Sequence, residues 1–242
     1  MIRRIKSINV ENRALLWVLG LGLFSLAGCV GEESIINLEL RGFPPAVRTV
    51  APQDSRLKVA VAPFEDARAE PGPIGTRRHL GWSETPFYVI SVGLGEGVTL
   101  VLIDELKYRK GWDAWLAKPG VTAPDGGSDV TINGQVVKFV ANARPWFGLT
   151  EITVSMELAV HALNVRDGTE VRLVLVGDGS RRVFLFKQTD MEELLNAVLR
   201  ESLKKLLEVT KVEHQALRLK QPTGAIREQP ARNHGHHRIV PG

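Results

Sequence analysis

The sequence predicts one α/β domain, with a mixed sheet of about five strands and two amphipathic helices, placed behind an N-terminal export signal. Strand-like and helix-like periodicities in the middle of the chain predict the sheet and the helices. A basic and then apolar N-terminus predicts the export signal. Hydrophobic residues make up 44% and charged residues 24% of the 242 residues, which excludes a wholly disordered chain and a polytopic membrane protein.

The N-terminus is predicted to be a secretory signal peptide that covers residues 1–28. Three basic residues within the first six precede an apolar run of 15 residues at 14–28. A transmembrane helix needs about 20 residues, so this run is short for a span and fits the apolar region of a signal peptide. The alternative is an uncleaved signal anchor, which the small residues at the end of the run disfavour because they are typical of a cleavage site.

The apolar run ends in Leu26-Ala27-Gly28-Cys29, and these residues resemble a bacterial lipobox. The resemblance implies that the Cys29 thiol receives a diacylglyceryl group, that a peptidase cuts before Cys29, and that the new amine is acylated. Cys29 is the one cysteine of the chain, which excludes an internal disulfide. By resemblance to the enterobacterial sorting rule, Val30 in place of an aspartate implies an outer-membrane lipoprotein that faces the periplasm.

Strands are predicted where β-prone or alternating residues lie between turn residues. The clearest alternation places Ile152, Met156 and Leu158 on one face of a strand and polar residues on the other. Asp167-Gly168 predicts the hairpin turn that follows it, and Asn133-Gly134 predicts a tight turn or a bulge in an earlier strand. The predicted strands are 57–64, 87–92, 129–140, 150–165 and 170–176.

Two helices are predicted from apolar residues at helical spacing. In the first, leucine and valine recur every four residues from Leu94 to Leu106, and Gly111 follows where a left-handed C-cap belongs. In the second, Thr189 and Glu192 have the spacing of a capping box ahead of a leucine-rich segment.

These patterns divide the chain into four segments. The signal peptide at 1–28 is followed by a lipidated tether at 29–56, which contains one β-prone stretch and several prolines. Residues 57–210 form the predicted α/β domain. Residues 211–242 lose the apolar periodicity and are predicted to be a disordered tail.

The charge distribution argues against a nucleic-acid partner. The chain has 31 basic and 27 acidic residues, and residues 1–28 hold four of the bases and one of the acids. Without the signal peptide the balance is 27 bases to 26 acids. No strongly basic protein remains to attract a phosphate backbone.

No catalytic, cofactor-binding or metal-binding residue is predicted, and no cofactor. The chain contains no Gly-x-Ser-x-Gly elbow, His-Glu-x-x-His helix or P-loop. Two alternatives stay open. One is an envelope hydrolase that uses loop groups such as Asp66 and His79. The other is a small-ligand or metal-binding lipoprotein, whose candidate imidazole donors lie in the tail: His234, His236 and His237.

Tryptophans in predicted loops are the candidate interaction surface. Trp82, Trp115 and Trp146 lie beside predicted strands, and large rigid rings dominate many protein interfaces. The alternative is that these rings cap the ends of the sheet core, because tryptophan is usually largely buried.

Two stretches carry a family resemblance: VAPFEDAR at 61–68 and DVTINGQVVKF at 129–139. Together with the lipobox and the order of elements, they resemble small outer-membrane lipoproteins of the YajG type. They also resemble the broader set with a TolB N-terminal-like domain, which includes the curli-secretion lipoprotein and the lipoprotein activator of penicillin-binding proteins. The resemblance implies a membrane-tethered interaction domain with an envelope protein as partner and without catalytic residues.

Overall fold

The computed structural model describes residues 35–42, 57–89, 93–117 and 127–220. Cys29, Val30, His234, His236 and His237 lie outside these ranges, so the inferences that rest on them stay predictions. No helix within the described ranges is long and apolar enough to cross a membrane.

The described residues form a nine-stranded mixed sheet, two helices and a separate two-stranded sheet. The predicted α/β class with two helices is confirmed, whereas the prediction of about five strands is wrong. Four of the additional strands have only two to four residues, too few to show an alternating pattern. The elements of the main body are β1 (Ile36–Leu38), β2 (Lys58–Val61), β3 (Glu65–Asp66), β4 (Gly75–Arg78), β5 (Glu84–Val89), α1 (Leu94–Lys110), β6 (Asp113–Leu116), β7 (Val130–Trp146), β8 (Leu149–Asn164), β9 (Glu170–Val183) and α2 (Gln188–Val209).

The long strand β7 organises the sheet. Along one edge it pairs in parallel with β2, then with β3 and then with β4, so these short strands follow one another along it. Along the other edge it pairs antiparallel with β8, and β9 pairs with β8 in turn. The sheet extends from β2 to β6, and from β4 through β5 to β1. We name the two ends of the sheet after the residues of β7 found there, the Val130 end and the Trp146 end.

The predicted alternation along β8 is confirmed. Met156 and Leu158 are fully buried, and Glu157 between them is partly exposed. Asn133-Gly134 is neither a turn nor a bulge, because β7 continues through it and its register shifts between Val136 and Lys138 instead. Gly134 is required by close packing: a Cβ atom there would lie 2.5 Å from two ring atoms of Phe64.

Both helices pack on one face of the sheet. Gly111 closes α1 in the left-handed conformation with φ of 65°, as predicted. The predicted capping box of α2 is wrong: Lys187 is the N-cap residue, and its backbone N–H donates to Asp190 Oδ2 at 3.2 Å. The N-cap residue therefore lies two positions before the predicted N-cap Thr189.

Both predicted boundaries of the domain need correction. Residues 35–42 belong to the body, because β1 pairs with β5 and Asn196 of α2 bonds to the backbone of Glu39 and Arg41. At the other end, β10 (Thr210–Glu213) and β11 (Ala216–Leu219) form a hairpin where a disordered tail was predicted. Leu217 of β11 is buried and exchanges two hydrogen bonds with the Asn164 side chain, at 2.7 and 3.0 Å.

Candidate functional site

The face of the sheet opposite the helices is uncovered over β7, β8 and β9. Along β8 this face carries Ser155, Glu157 and His161, all partly exposed. On β9 it carries two valines, Val174 at 61% and Val176 at 47% exposure. Both valines lie on β9, which pairs only with β8 among the described strands. Neighbouring exposed apolar side chains are typical of an interaction surface, so this face is a candidate for contact.

A groove of about 550 Å³ runs across the uncovered face at its Val130 end. Its apolar lining residues are Pro63, Ala159, Val160, Leu173 and Val174, and polar side chains complete the lining. The volume lies within the range of about 300–1,000 Å³ that is usual for small-molecule sites. The polar side chains are Glu65, Asn133, Gln135, His161 and Arg172.

Charged groups beside the groove are paired with one another. The Arg172 guanidinium donates to Glu170 Oε2 at 2.7 Å, and His161 Nε2 lies 3.2 Å from the same oxygen. Arg172 first, and His161 second, hold the pKa of the Glu170 carboxyl below its usual range. Gln135 Nε2 donates to Glu65 Oε2 at 3.0 Å. The polar side chains of the groove include both hydrogen-bond donors and acceptors, so they can hydrogen-bond to a polar group of a ligand.

A second feature lies at the Trp146 end, where three loops expose large apolar side chains. They are the β4–β5 turn, the β7–β8 turn and the β9–α2 loop. We call these side chains the apolar rim; they are Leu80 (90% exposed), Trp82 (87%), Trp146 (38%), Phe147 (92%), Leu149 (36%), Phe184 (75%) and Leu185 (70%). Most exposed apolar residues occur singly on protein surfaces, so a cluster of this kind marks a contact surface.

Cation–π and ring contacts link the three loops of the rim. The Arg182 guanidinium at the end of β9 lies 5.0 Å from the centre of the Trp146 ring. Arg77 of β4 lies 4.4 Å from the centre of the Phe186 ring in the β9–α2 loop. Phe186 also stacks on Phe87 of β5 with ring centres 6.1 Å apart. The three loops are therefore held side by side at one end of the domain.

Two aromatic residues of the rim adopt a backbone conformation that disfavours them. Trp82 has φ of 69° and Phe147 has φ of 39°, and Gly148 follows with φ of 76°. Two positive φ angles in a two-residue hairpin turn favour Asn-Gly, and a left-handed L-residue costs roughly 1 kcal/mol or more. Bulky rings held in such positions are typical of functional sites, where strain persists because contact requires the side chain.

The structure brings together two of the three predicted tryptophans. Trp82 and Trp146 lie in the rim, whereas Trp115 of β6 is half-buried at the Val130 end. Ala60 pairs with both Trp115 and Thr131, and Thr131 precedes Trp146 by about 15 residues, or about 50 Å of strand. Phe147, another aromatic residue beside a predicted strand, also lies in the rim, and Phe147-Gly148 between two alternating strands is the signal that places it at a hairpin tip. The leucines of the rim and Phe184 carry no comparable sequence signal.

The groups considered for a hydrolase lie apart. Asp66 of β3 pairs with Val136 of β7, and its carboxylate accepts a hydrogen bond from Arg68 Nε at 2.8 Å, which lowers its pKa. His79 follows β4 towards the Trp146 end, and its Nε2 lies 2.9 Å from Thr85 Oγ1. Within the described ranges, no three His, Cys, Asp or Glu side chains are arranged to hold a metal ion.

Comparisons with known proteins identify no family. No protein-family model matches the chain, and no curated protein does. Similar solved structures include a Xanthomonas campestris protein of the DUF330 family, at 15% identity and a TM-score of 0.44, covering 72% of this chain and 92% of that one. They also include a putative neuraminyllactose-binding hemagglutinin homolog from Helicobacter pylori, at 12% identity and a TM-score of 0.37, covering 71% and 89%.

A third similar structure is the lipoprotein GNA1162 from Neisseria meningitidis, at 12% identity and a TM-score of 0.30, covering 59% of this chain and 95% of that one. All three TM-scores are below 0.5, so these similarities carry no inference about function. The resemblance to lipoproteins of the YajG type stays a prediction.

Proposed function

We propose that the protein is a lipoprotein of the bacterial envelope that is anchored by acylation of Cys29. It binds a partner protein through the uncovered face of β7–β9. In this proposal it faces the periplasm from the outer membrane and works by contact, without catalysis. The observation that carries the proposal is the uncovered face, with its groove and its two exposed valines.

The anchor follows from the lipobox residues and fits the described structure. Two or three acyl chains would hold the domain on a membrane almost permanently, because each buried methylene contributes about 0.8 kcal/mol. A lipid on Cys29 would leave the uncovered face open to an envelope protein.

Protein contact explains the uncovered face better than hydrolysis does. A binding surface needs apolar area that loses water on contact, and Val174 and Val176 supply it. The groups considered for hydrolysis are engaged in local contacts: Asp66 with Arg68, and His79 with Thr85. A second candidate function is small-ligand binding, which the volume of the groove favours.

Site-specific photo-crosslinking in living cells tests the partner-binding surface. A photoreactive residue at position 174 should give a discrete protein adduct. The matched control is position 212, because Val212 is also an exposed valine, at 40%, but lies on β10. Adducts of equal yield at both positions, or none at 174, would contradict the proposed surface. Loss of the adduct at 174 after soaking cells with a small amphiphile would favour the ligand-binding alternative.

A further inference from the structure

We propose that the apolar rim is a second membrane contact, which inserts into the interfacial layer of the same leaflet that holds the lipid on Cys29. This inference rests on the proposed anchor at Cys29. It assigns the rim to a lipid surface and leaves the uncovered face free for protein contact.

The course of β1 places the anchor near the rim. β1 is parallel to β5, and β5 is antiparallel to β4, which runs towards the Trp146 end beside β7. β1 therefore runs away from the Trp146 end, and Ile36, its first residue, is the one nearest to the rim. Ile35, the residue before β1, therefore lies on the side of the rim.

The length of the tether restricts where the lipid can be. Cys29 precedes Ile35 by six residues, which reach about 20 Å when fully extended. Ile36 is paired with Phe87, and Glu84 at the base of the β4–β5 turn is three residues away, or about 10 Å along the strand. The lipid and the rim can therefore meet one membrane surface at the same time.

The Val130 end of the sheet is too far from the anchor to contact the same membrane surface. Phe87 pairs with Gly75, and the backbone N–H of Ala141 donates to the neighbouring Ile74 oxygen at 2.8 Å, so Ile36 lies at the level of Ala141. Val130 is eleven residues from Ala141 along β7, or about 36 Å. This exceeds the tether, so a short anchor presents the Trp146 end to the bilayer.

The chemistry of the rim matches the membrane interface. Tryptophan is enriched at the level of the lipid headgroups, and phenylalanine and leucine tips insert between acyl chains. Three half-exposed arginines stand just behind the tips, and each is paired with a carboxylate at the surface: Arg78 with Glu84, and Arg144 and Arg182 with Glu151. Such guanidinium groups can reach phosphate while their stems stay apolar. The rim is carried on three separate loop tips, a shape that suits a soft lipid surface.

The test is tryptophan quenching by brominated lipid. The full chain, expressed with its own signal sequence, is reconstituted into vesicles of phosphatidylcholine and phosphatidylglycerol, with or without bromine on the acyl chains. We expect bromine to lower the emission of the wild-type protein, because Trp82 and Trp146 lie in the interface. The double variant Trp82→Phe/Trp146→Phe should lose at least about half of this quenching, and Trp115→Phe should keep it.

Fatty-acid labelling of the same samples separates the two proposals. Label on Cys29 together with quenching that depends on Trp82 and Trp146 supports both. Label without that quenching overturns the membrane role of the rim and leaves the anchor in place. Absence of label overturns the anchor. The proposal would also be overturned if Trp82 in membrane preparations were protected from acrylamide quenching but its emission did not respond to brominated lipid. A protein, and not lipid, would then cover the rim. Phe147→Ser gives a second variant that keeps every tryptophan and should still reduce the quenching.

Discussion

Replacing Leu158 by alanine should destabilise the domain by about 2–5 kcal/mol, whereas the same substitution at Leu185 should change stability by no more than about 0.5 kcal/mol. Leu158 is fully buried on β8, opposite Val136 and Leu175, and it lies on the face that the helices cover. Leu185 lies in the apolar rim and is 70% exposed. The two variants make the same leucine-to-alanine change, one at a buried site and one at an exposed site.

The magnitude follows from the atoms that are removed. A leucine side chain loses three carbon atoms on truncation to alanine, or about 2.4 kcal/mol at about 0.8 kcal/mol for each buried methylene. The cavity that remains adds to this at Leu158, because β7, β9 and the helices surround it and relax only in part. At Leu185 most of the surface already contacts water, so the transfer contribution is small.

Urea unfolding of the two variants, followed by circular dichroism, measures both free energies. Equal losses at Leu158 and Leu185 would refute the reasoning. The rim would then be packed in the isolated domain, and it would not be available for a membrane.

Two further predictions concern a hairpin turn and a helix–sheet contact. Thr169 and Arg218 lower the pKa of the Asp167 carboxyl to about 2, so its contribution to stability is present above its unfolded pKa and is lost as the pH falls from about 4 to about 2. Asp167→Asn should therefore lower Tm at pH 7, and the difference from the wild type should vanish near pH 2 in thermal melts; a difference independent of pH would contradict this. Gly177→Ala should cost about 1–3 kcal/mol, because a Cβ atom there would lie 2.0 Å from Ser202 Oγ in α2. Ser202→Ala in the same chain should recover part of the loss in urea unfolding, and no recovery would place the clash elsewhere.

The long, half-buried elements could be predicted from sequence because their periodicity is a direct result of burial. The alternation along β8 and the four-residue spacing of α1 arise because each element buries one of its faces in the same hydrophobic core. Gly111 could be recognised as a C-cap because only glycine adopts the left-handed conformation without strain.

The short strands and the sheet edges could not be predicted in this way. β3 has two residues and β4 has four, and their pairing depends on β7, which lies many residues later in the chain. The hairpin β10–β11 was predicted to be disordered because its residues are mostly polar. It is held by tertiary contacts of Leu217 with Asn164, which no local pattern reveals.

The candidate site shows the same limit. Single tryptophans are evident in the sequence, but strand register determines that Trp82 and Trp146 lie at the same end of the sheet and that Trp115 lies at the other. The rim is assembled from three loops that are distant in sequence. Only the side-by-side order of β4, β7, β8 and β9 brings them to one end.

Metabolic labelling with a radioactive fatty acid tests the central claim most directly, because both proposals depend on acylation of Cys29. The wild-type chain should incorporate the label and run as a mature form that lacks residues 1–28. Cys29→Ser should carry no label and accumulate as the uncut precursor. A labelled Cys29→Ser chain, or a wild-type chain without label, would contradict the lipid anchor.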